Sequence, residues 1–456
     1  MSMKKLSSLA LIALISAGAA ACNDSDDDNK PNPNVNCDET PDHAECKEPG
    51  PGPDPNPAAC DDAPEVVELN GDVTEDTTLC KDSLIVLTEK VYVTNGATLT
   101  VQAGATLYGE PGSALIVTTE GRIHAEGSAS EPIVFTSSHL APGEDASQAK
   151  AGDWGGIVLL GLAKNNVPGG TNQIEGIDPG QGGEKATYGG EDDSHDCGTM
   201  KYVRVEYAGF EMSPDNELNA LTLGSCGDQT TLEYIQIIEG VDDGIEFFGG
   251  KTNLKYALVT NTGDDGVDFD EGFRGLMQFI AVEIATPLSG DPSGFEWDSL
   301  NANHDAEPRA GVQMSNATVW MTTDRADDNI TGMMIRRGAS ASLRNVLIAN
   351  VVGKRAAATV INNSVDHVTG EGNVIIGAGP AFQESNEFDF ESMFNILEEA
   401  YTFATAFPPT PAASDFDGVA VDAHTGDFFS PAAYVGAFDP SKPADQQWTA
   451  GWTRNP

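Results

Sequence analysis

The sequence predicts an all-β chain that coils into a single-stranded parallel β-helix, a solenoid of short strands. Three observations predict this fold: short apolar runs rich in β-branched and aromatic residues, 49 glycines and 26 prolines among 456 residues, and a repeat of about 22 residues. One such rung cannot bury its apolar face alone, so stacked rungs must share a continuous core.

The repeat is clearest between residues 232 and 297. Leu-Glu-Tyr-Ile at 232–235 returns as Leu-Lys-Tyr-Ala at 254–257 and as Met-Gln-Phe-Ile at 277–280, in steps of 22 and 23 residues. Asp-Asp-Gly at 242–244 returns 22 residues later at 264–266, and a degenerate Pro-Ser-Gly copy follows after a further 28 residues. These steps predict a β-helix over residues 63–387, with the longer rungs forming loops at Ser137–Asp153 and Val167–Thr199.

Residues 1–21 are typical of a bacterial export signal. Lys4 and Lys5 precede an apolar core, Leu6–Gly18, that is too short for a stable membrane span. The stretch Ala-Ala-Ala-Cys at 19–22 resembles the end of a lipoprotein signal, which makes Cys22 the predicted lipidation site. The same stretch also suits the ordinary signal peptidase, which would leave a freely secreted protein.

Residues 22–62 are predicted to form a disordered acidic tether. The segment is rich in Asp, Pro and Asn and has almost no aliphatic residues, so it cannot bury enough surface to offset the cost of ordering. Self-repulsion and proline stiffness should keep it extended between a membrane and the β-helix.

Seven cysteines are an odd number, and six remain if Cys22 carries lipid. An exported protein can pair all six. Pairing of chain neighbours is the simplest connectivity, although the sequence leaves the others open. It joins Cys37 to Cys46, Cys60 to Cys80, and Cys197 to Cys226.

Residues 388–456 are predicted to be a C-terminal cap on the β-helix. Apolar residues fall at helical spacing and predict a capping helix over about Phe388–Phe403 that covers the open end of the solenoid. The residues in that pattern are Phe390, Met393, Phe394, Leu397 and Tyr401. The aromatic residues that follow are expected to pack back on the body.

The charge of the chain excludes nucleic acid as a partner. There are 71 acidic and 24 basic side chains, which give a formal net charge of -47. Such a surface repels phosphate backbones.

Several blocks of sequence, in order, carry a family resemblance: Gly-Ala-Thr-Leu at 104–107, Gly-Asp-Trp-Gly-Gly at 152–156, residues 202–209, residues 242–250, and Trp-Thr-Ala-Gly-Trp at 448–452. Together they resemble a family of bacterial β-helix lipoproteins that includes a leptospiral outer-membrane lipoprotein. The resemblance implies a right-handed, pectin-lyase-like fold and an outer-membrane location. It implies no catalytic residues, because that family has no established activity.

The Asp-Asp-Gly rungs carry the candidate site. If the rungs stack in register, Glu246, Asp268 and Glu296 lie about 4.8 Å apart on the outside of the solenoid. Such a ladder repels itself unless a cation, a basic side chain or protonation relieves it. Calcium favours several oxygen ligands, so it is the predicted ion. The candidate ligands are Asp242, Asp243, Glu246, Asp264, Asp265, Asp268, Asp270, Glu296 and Asp298.

Two other interpretations stay open for these carboxylates. Asp-Gly is common turn chemistry, and an exposed ladder can be screened by water and salt. Alternatively, clustered Asp residues could serve a polysaccharide-active enzyme of the pectate-lyase or polygalacturonase type. The sequence lacks the Gly-His-Gly and downstream Arg-x-Lys motifs that a polygalacturonase would have. A calcium-dependent lyase would need a basic residue beside the metal, and nothing in the sequence selects one among Lys251, Arg274 and Arg336.

The sequence therefore predicts a non-enzymatic, lipid-anchored lipoprotein of the outer membrane, on its periplasmic or extracellular face. Its expected role is binding of a polysaccharide or protein ligand, or envelope architecture, with calcium as the one expected cofactor. The alternative is the polysaccharide-active enzyme.

Overall fold

The computed structural model describes residue 60 and residues 65–177, 183–213, 216–285, 289–322, 328–379 and 392–455. The predicted export signal, Cys22, most of the predicted tether and the Cys37–Cys46 pair lie outside the described residues. Among the described residues, no helical segment has the length and apolarity that a membrane span requires.

The described residues form a right-handed parallel β-helix of short strands, as the repeat predicted. Of its strands, 25 belong to one continuous sheet, and the remaining four form two small antiparallel hairpins. The first rungs contain β1 (Val66–Val73), β2 (Thr77–Leu79), β3 (Leu84–Val93), β4 (Thr98–Val101), β5 (Thr106–Gly109), β6 (Ala114–Val117), β7 (Arg122–Glu126), β8 (Ile133–Ser137) and β9 (Ile157–Leu160). The hairpins are β10 (Asn172–Gln173) with β11 (Thr187–Tyr188), and β13 (Glu211–Ser213) with β14 (Asn216–Glu217).

The central rungs contain β12 (Gly198–Glu206), β15 (Leu221–Gly224), β16 (Thr231–Ile238), β17 (Ile245–Phe248), β18 (Asn253–Thr260), β19 (Val267–Asp270), β20 (Leu276–Ile284) and β21 (Ser293–Trp297). The last rungs contain β22 (Gly311–Met321), β23 (Thr331–Ile335), β24 (Ser340–Arg344), β25 (Leu347–Ala349), β26 (Ala358–Val360), β27 (Val368–Glu371), β28 (Asn373–Ile376) and β29 (Phe394–Leu397). The helices of the described residues are short 3-10 turns at Ser138–Leu140, Ala146–Gln148, Gly183–Ala186, Val365–His367 and Ala444–Gln446.

Three columns of stacked strands form the three sides of the solenoid. The column that carries the acidic residues, here called the acidic face, stacks β6, β9, β15, β17, β19, β21, β23 and β26. The register of the repeats is the one that the sequence steps require, because Leu232 pairs with Leu254 and Leu254 with Met277. One apolar core runs through the inside from Leu69 to Phe394.

One corner of the solenoid is a ladder of residues in the left-handed backbone region. Tyr202, Tyr234, Tyr256 and Phe279 have φ between 51° and 61° and occupy this corner in successive rungs. Their rings stack at 4.2, 4.3 and 4.9 Å between centroids. A left-handed conformation is unusual for a bulky residue, and stacking along the ladder offsets its strain.

The predicted capping helix is wrong in its described part. Phe394–Leu397 is strand β29, which pairs in parallel with β28. Phe394 is buried and Ile396 is half-buried, whereas Asn395 and Leu397 are exposed, so burial alternates with the strand period here. The open edge of β28 exposes backbone N–H and C=O groups. A strand placed beside β28 forms hydrogen bonds with these groups, whereas a helix cannot, so strand pairing is favoured over the helical spacing of the apolar residues.

The C-terminal residues 398–455 form what we call the strap, which runs back along the side of the solenoid. Phe416, Val435 and Phe438 pack on residues of the last rungs, and Trp452 lies edge-on against Tyr202 and Tyr234 near the centre. The aromatic residues of the strap therefore pack back on the body, as the sequence predicted, and they do so along its flank.

Side-chain amides of the solenoid hold the strap by its backbone. Gln278 Nε2 donates to Ser430 O at 2.8 Å, and Ser430 N donates back to Gln278 Oε1 at 2.8 Å. The same reciprocal pair joins Gln236 with Arg454, Asn345 with Val421, and Asn350 with Tyr401. Each pair imitates one step of a β-ladder, which is how an irregular segment finds partners on the flank.

Two of the three predicted disulfides, Cys60–Cys80 and Cys197–Cys226, are formed. They link consecutive parts of the chain at the start of the solenoid and beside the loop before β12.

Candidate metal centre

The acidic face brings the predicted carboxylates into register. Glu246 of β17 pairs with Asp268 of β19, and Asp268 pairs with Glu296 of β21. The apolar residues on either side of each carboxylate point inward and are fully buried: Ile245, Phe247, Val267, Phe269, Phe295 and Trp297. Alternation along three short strands thus sets three carboxylates in one outward column.

The second Asp of each Asp-Asp-Gly belongs to a ladder in the turn before the strand. Asp243 N donates to Asn219 Oδ1 at 3.1 Å, and Asp265 N donates to Asp243 Oδ1 at 2.8 Å. Ser293 N donates to Asp265 Oδ1 in the next rung. One oxygen of each Asp therefore serves the turn, as the turn interpretation proposed, and the other oxygen remains for a different partner.

The glycine of the motif is required by the close approach of the rungs. A Cβ on Gly244 would lie 2.6 Å from Gly266 O, and one on Gly266 would lie 2.7 Å from Gly294 O. Both distances are shorter than the contacts that real Cβ atoms make, so only glycine fits at these two positions. The glycines therefore let the acidic turns of successive rungs stack as closely as the strands do.

Carboxylate oxygens converge in three overlapping groups along this face. Within each group one oxygen from every residue lies within 4.8 Å of the others. The groups are Asp242, Asp243 and Asp264; Asp243, Glu246 and Asp268; and Asp265, Asp268 and Glu296. Asp243 and Asp268 each belong to two groups, so a single continuous site is formed.

Burial makes this concentration of charge costly. Asp243, Glu246 and Asp265 are at most 8% exposed. Burial first, and neighbouring carboxylates second, raise the pKa of each of these three groups and of Asp268 well above the ordinary value. Without a cation the site would hold protons.

Two further carboxyl groups have a pKa near neutrality. Burial raises the pKa of Asp270 to about 7, and the nearby Asp298 adds to the effect. Burial likewise raises the pKa of Glu296 to about 7, although Arg336 opposes the shift. Burial also raises the pKa of Asp264.

Among the described residues, Arg336 and Arg337 form ion pairs with carboxylates at one end of the site. Arg336 Nε lies 2.9 Å from Asp298 Oδ1, and its terminal nitrogen contacts Glu296. Arg337 also contacts Asp298. Of the other basic candidates, Lys251 pairs with Asp228 at 2.8 Å and Arg274 with Asp193 at 2.9 Å, so Arg336 is the one the fold sets beside the cluster.

Among the described residues, three oxygen atoms at this register position are buried without a hydrogen-bond partner: Asp268 Oδ1, Thr222 Oγ1 and, beyond Met334, Thr359 Oγ1. Asp268 Oδ1 and Thr222 Oγ1 are the two in or next to the carboxylates. Thr222 is fully buried and pairs with Glu246 in the register of the sheet, so it extends the carboxylate column by one rung. A buried oxygen without a donor is rare and costs free energy, so both atoms fit a site that takes a cation. The all-oxygen donor set is the one that Ca²⁺ favours.

Sequence reasoning missed some members of the site. Thr222 and Asn219 were not considered, although Asn-Ala-Leu-Thr-Leu at 219–223 aligns with Asp-Gly-Ile-Glu-Phe at 243–247. That alignment, at a step of 24 residues, was the available signal. Glu175, whose charge raises the pKa of Glu246, comes from the long loop before β12, and no local pattern points to it.

The comparisons with known proteins agree with the fold. A family model described as a pectate-lyase-like beta helix domain matches residues 71–453. No curated protein and no solved structure shows significant similarity to the chain.

Proposed function

Because the chain belongs to the pectate-lyase-like β-helix family, we propose that it is a lipid-anchored cell-surface protein with a binding or envelope-structural role and a Ca²⁺ site on its acidic face. The predicted export signal and Cys22 support the anchor, and the resemblance of several sequence blocks to bacterial β-helix lipoproteins supports the outer membrane as its location. A polysaccharide or protein at the cell surface is the proposed ligand.

The observation that carries the cation is the pair of unpartnered buried oxygens, Thr222 Oγ1 and Asp268 Oδ1, inside the column of carboxylates. A turn or a solvated ladder explains one oxygen of Asp243 and one of Asp265, because the neighbouring backbone N–H groups donate to them. It leaves the oxygens of the outward column unexplained. A divalent cation would satisfy them and remove the repulsion between carboxylates.

Calcium binding is tested by calorimetric titration of the full-length protein after chelator treatment, together with thermal unfolding. We expect a bound ion and a higher melting temperature, since free Ca²⁺ at a hundred times its Kd adds about 2.7 kcal/mol to stability. Asp268→Asn should weaken binding at least tenfold. Asp82→Asn, which removes an exposed carboxylate outside the site, is the matched control. No heat and no shift at millimolar Ca²⁺ would exclude the cation.

The anchor is tested separately, by fatty-acid labelling of the protein expressed in a bacterial host. We expect label in the membrane-bound protein and none in Cys22→Ala. A wild-type protein that is exported but unlabelled contradicts the anchor and leaves the Ca²⁺ site untouched.

One observation favours the polysaccharide-active enzyme as a second candidate. Arg336 lies beside Glu296 and Asp298, where a calcium-dependent lyase would need a basic group. Against it, both carboxylates already hold the guanidinium, and Asp298 is buried. Incubation with polygalacturonate and Ca²⁺ should give no unsaturated products. Products that disappear in Asp264→Asn, Asp265→Asn or Arg336→Ala would establish the enzyme instead.

A further inference from the structure

A cavity with a mixed polar and apolar lining lies on another side of the solenoid, away from the acidic face. It has a volume of about 360 Å³ and opens over β20, β22, β24 and β27. Its floor is a column of side chains in register, in which Leu276 pairs with Gln313 and Gln313 pairs with Ser342. Thr369 is the next residue in the column.

A histidine of the strap connects this column to its neighbour. His424 Nε2 lies 2.9 Å from Ser342 Oγ, and His424 Nδ1 lies 2.7 Å from Ser315 Oγ. The backbone N of His424 donates to the same Ser315 Oγ at 3.0 Å. Ser315 is fully buried, so these contacts hold the ring in place over Ser342. A serine hydroxyl, an imidazole and a second group that orients the imidazole are the parts that nucleophilic catalysis by a serine needs.

The imidazole is neutral at physiological pH. Burial, and then the charge of Arg344, lowers the pKa of His424 to about 4. With the proton on Nδ1, the ring donates to Ser315 Oγ, which keeps one lone pair for the backbone N–H. Nε2 then has its lone pair directed at the Ser342 hydroxyl, as proton abstraction requires.

A donor for a developing oxyanion lies in the same column. Gln313 is the register partner of Ser342 one rung away, lines the cavity and is exposed to it. Side chains at such positions are about 5 Å apart, so a carbonyl oxygen bound at Ser342 comes within reach of the Gln313 amide. Leu276 supplies an apolar wall for a short acyl chain.

We propose that Ser342 is a nucleophile for short-chain carboxylic esters, with His424 as its base and Gln313 as its oxyanion donor. Ser342 Oγ forms a bond to the carbonyl carbon while His424 Nε2 takes the hydroxyl proton. The ester C–O bond breaks, and the alcohol leaves with that proton. Water then attacks the acyl-serine, gives its proton to His424, and releases the carboxylic acid, after which the proton returns to Ser342.

The test is covalent labelling of the full-length protein with a fluorophosphonate, read by intact mass and peptide mapping. The Ser342 Oγ–P bond forms, the P–F bond breaks, and fluoride leaves with the serine proton. We expect one label per chain, on Ser342. No label on the folded wild-type protein, or a label on another serine, overturns the proposal, and this result does not depend on the folding of any variant.

Variants then separate chemistry from structure. Ser147→Ala is the matched control, because Ser147 is an exposed serine outside the cavity whose Oγ donates to Asp145 Oδ1 at 2.7 Å. It should label at the wild-type rate. His424→Gln should slow labelling at least a hundredfold, and Gln313→Ala should slow hydrolysis of p-nitrophenyl acetate more than labelling. Equal rates in all three variants would contradict the assigned roles.

Discussion

Raising the pH of the Ca²⁺-free protein from 5 to 6.5 should lower its free energy of unfolding. Asp270 and Glu296 have a pKa of about 7 in the folded protein, against ordinary values of 3.8 and 4.5. Because the pKa is raised by folding, their stabilising contribution is complete below the ordinary values and is lost as the pH rises through 7.

The size of the effect follows from counting protons. In this window the folded protein holds nearly two more protons on Asp270 and Glu296 than the unfolded chain does, each worth about 1.4 kcal/mol per pH unit. His424 acts in the opposite direction, because folding lowers its pKa from 6.5 to about 4. These three groups alone give a loss of about 1.4 kcal/mol per pH unit, or roughly 2 kcal/mol across the window. The other buried carboxyl groups, whose pKa is also raised, add to it.

The assay is urea unfolding at constant ionic strength, followed by fluorescence of the buried tryptophans, with chelator and with Ca²⁺. Saturating Ca²⁺ should remove the loss, because a bound cation favours the ionised carboxylates. Asp270→Asn should make the chelator slope less negative by about 1.4 kcal/mol per pH unit, and His424→Gln should make it more negative by the same amount. A free energy that stays constant or rises between pH 5 and 6.5 in chelator would refute the reasoning.

Three further predictions concern single contacts. Arg336→Ala should lower the free energy of unfolding by about 3 kcal/mol in chelator, because it leaves Glu296 without its partner. The loss should be smaller in Ca²⁺, and urea unfolding measures both values. Gly266→Ala should lower it by about 1–3 kcal/mol, because its Cβ would lie 2.7 Å from a backbone oxygen, and thermal unfolding measures this loss. Gln278→Ala removes both bonds to Ser430, so limited proteolysis should cut the strap faster while the solenoid stays intact.

Each of these has a contradicting result. An Arg336→Ala protein equally destabilised with and without Ca²⁺ would mean that the cation does not replace the guanidinium. A fully stable Gly266→Ala would show that the rungs can separate at the turn. Uniform proteolysis of Gln278→Ala along the chain would mean that strap and solenoid unfold as one unit.

The solenoid could be predicted because its signal is local and repeated. Each rung returns after about 22 residues, so the pairing of Glu246 with Asp268 follows from counting along the chain. The path of the strap could not be predicted in this way. Gln236 and Arg454 are 218 residues apart, and a single reciprocal amide pair leaves no periodic trace in a sequence.

The prediction of a capping helix was wrong for a related reason. Apolar residues at 390, 393, 394, 397 and 401 have helical spacing, and the competing partner, the open edge of β28, is invisible in that window. Helical propensity and apolar spacing predict secondary structure poorly where a segment can pair with an open strand edge. Thr222 escaped notice because a threonine carries no charge, and only its register beside Glu246 shows that its oxygen belongs to the site.

Equivalent turn positions in successive rungs show whether the turn itself requires an aspartate. Asn219, Asp243, Asp265 and Ser293 occupy the same turn in successive rungs, and Asn219 Oδ1 accepts the next backbone N–H as Asp243 Oδ1 does. A neutral amide therefore suffices for the ladder. At Asn219 the Nδ2 group even donates to Glu246, a contact that a carboxylate cannot make. The negative charges at 243 and 265 strengthen the hydrogen bond from the next backbone N–H, but repulsion and burial cost outweigh that gain. Their second oxygens need either a proton or a positive partner, and the proposed cation would lie beside the unpartnered Asp268 Oδ1.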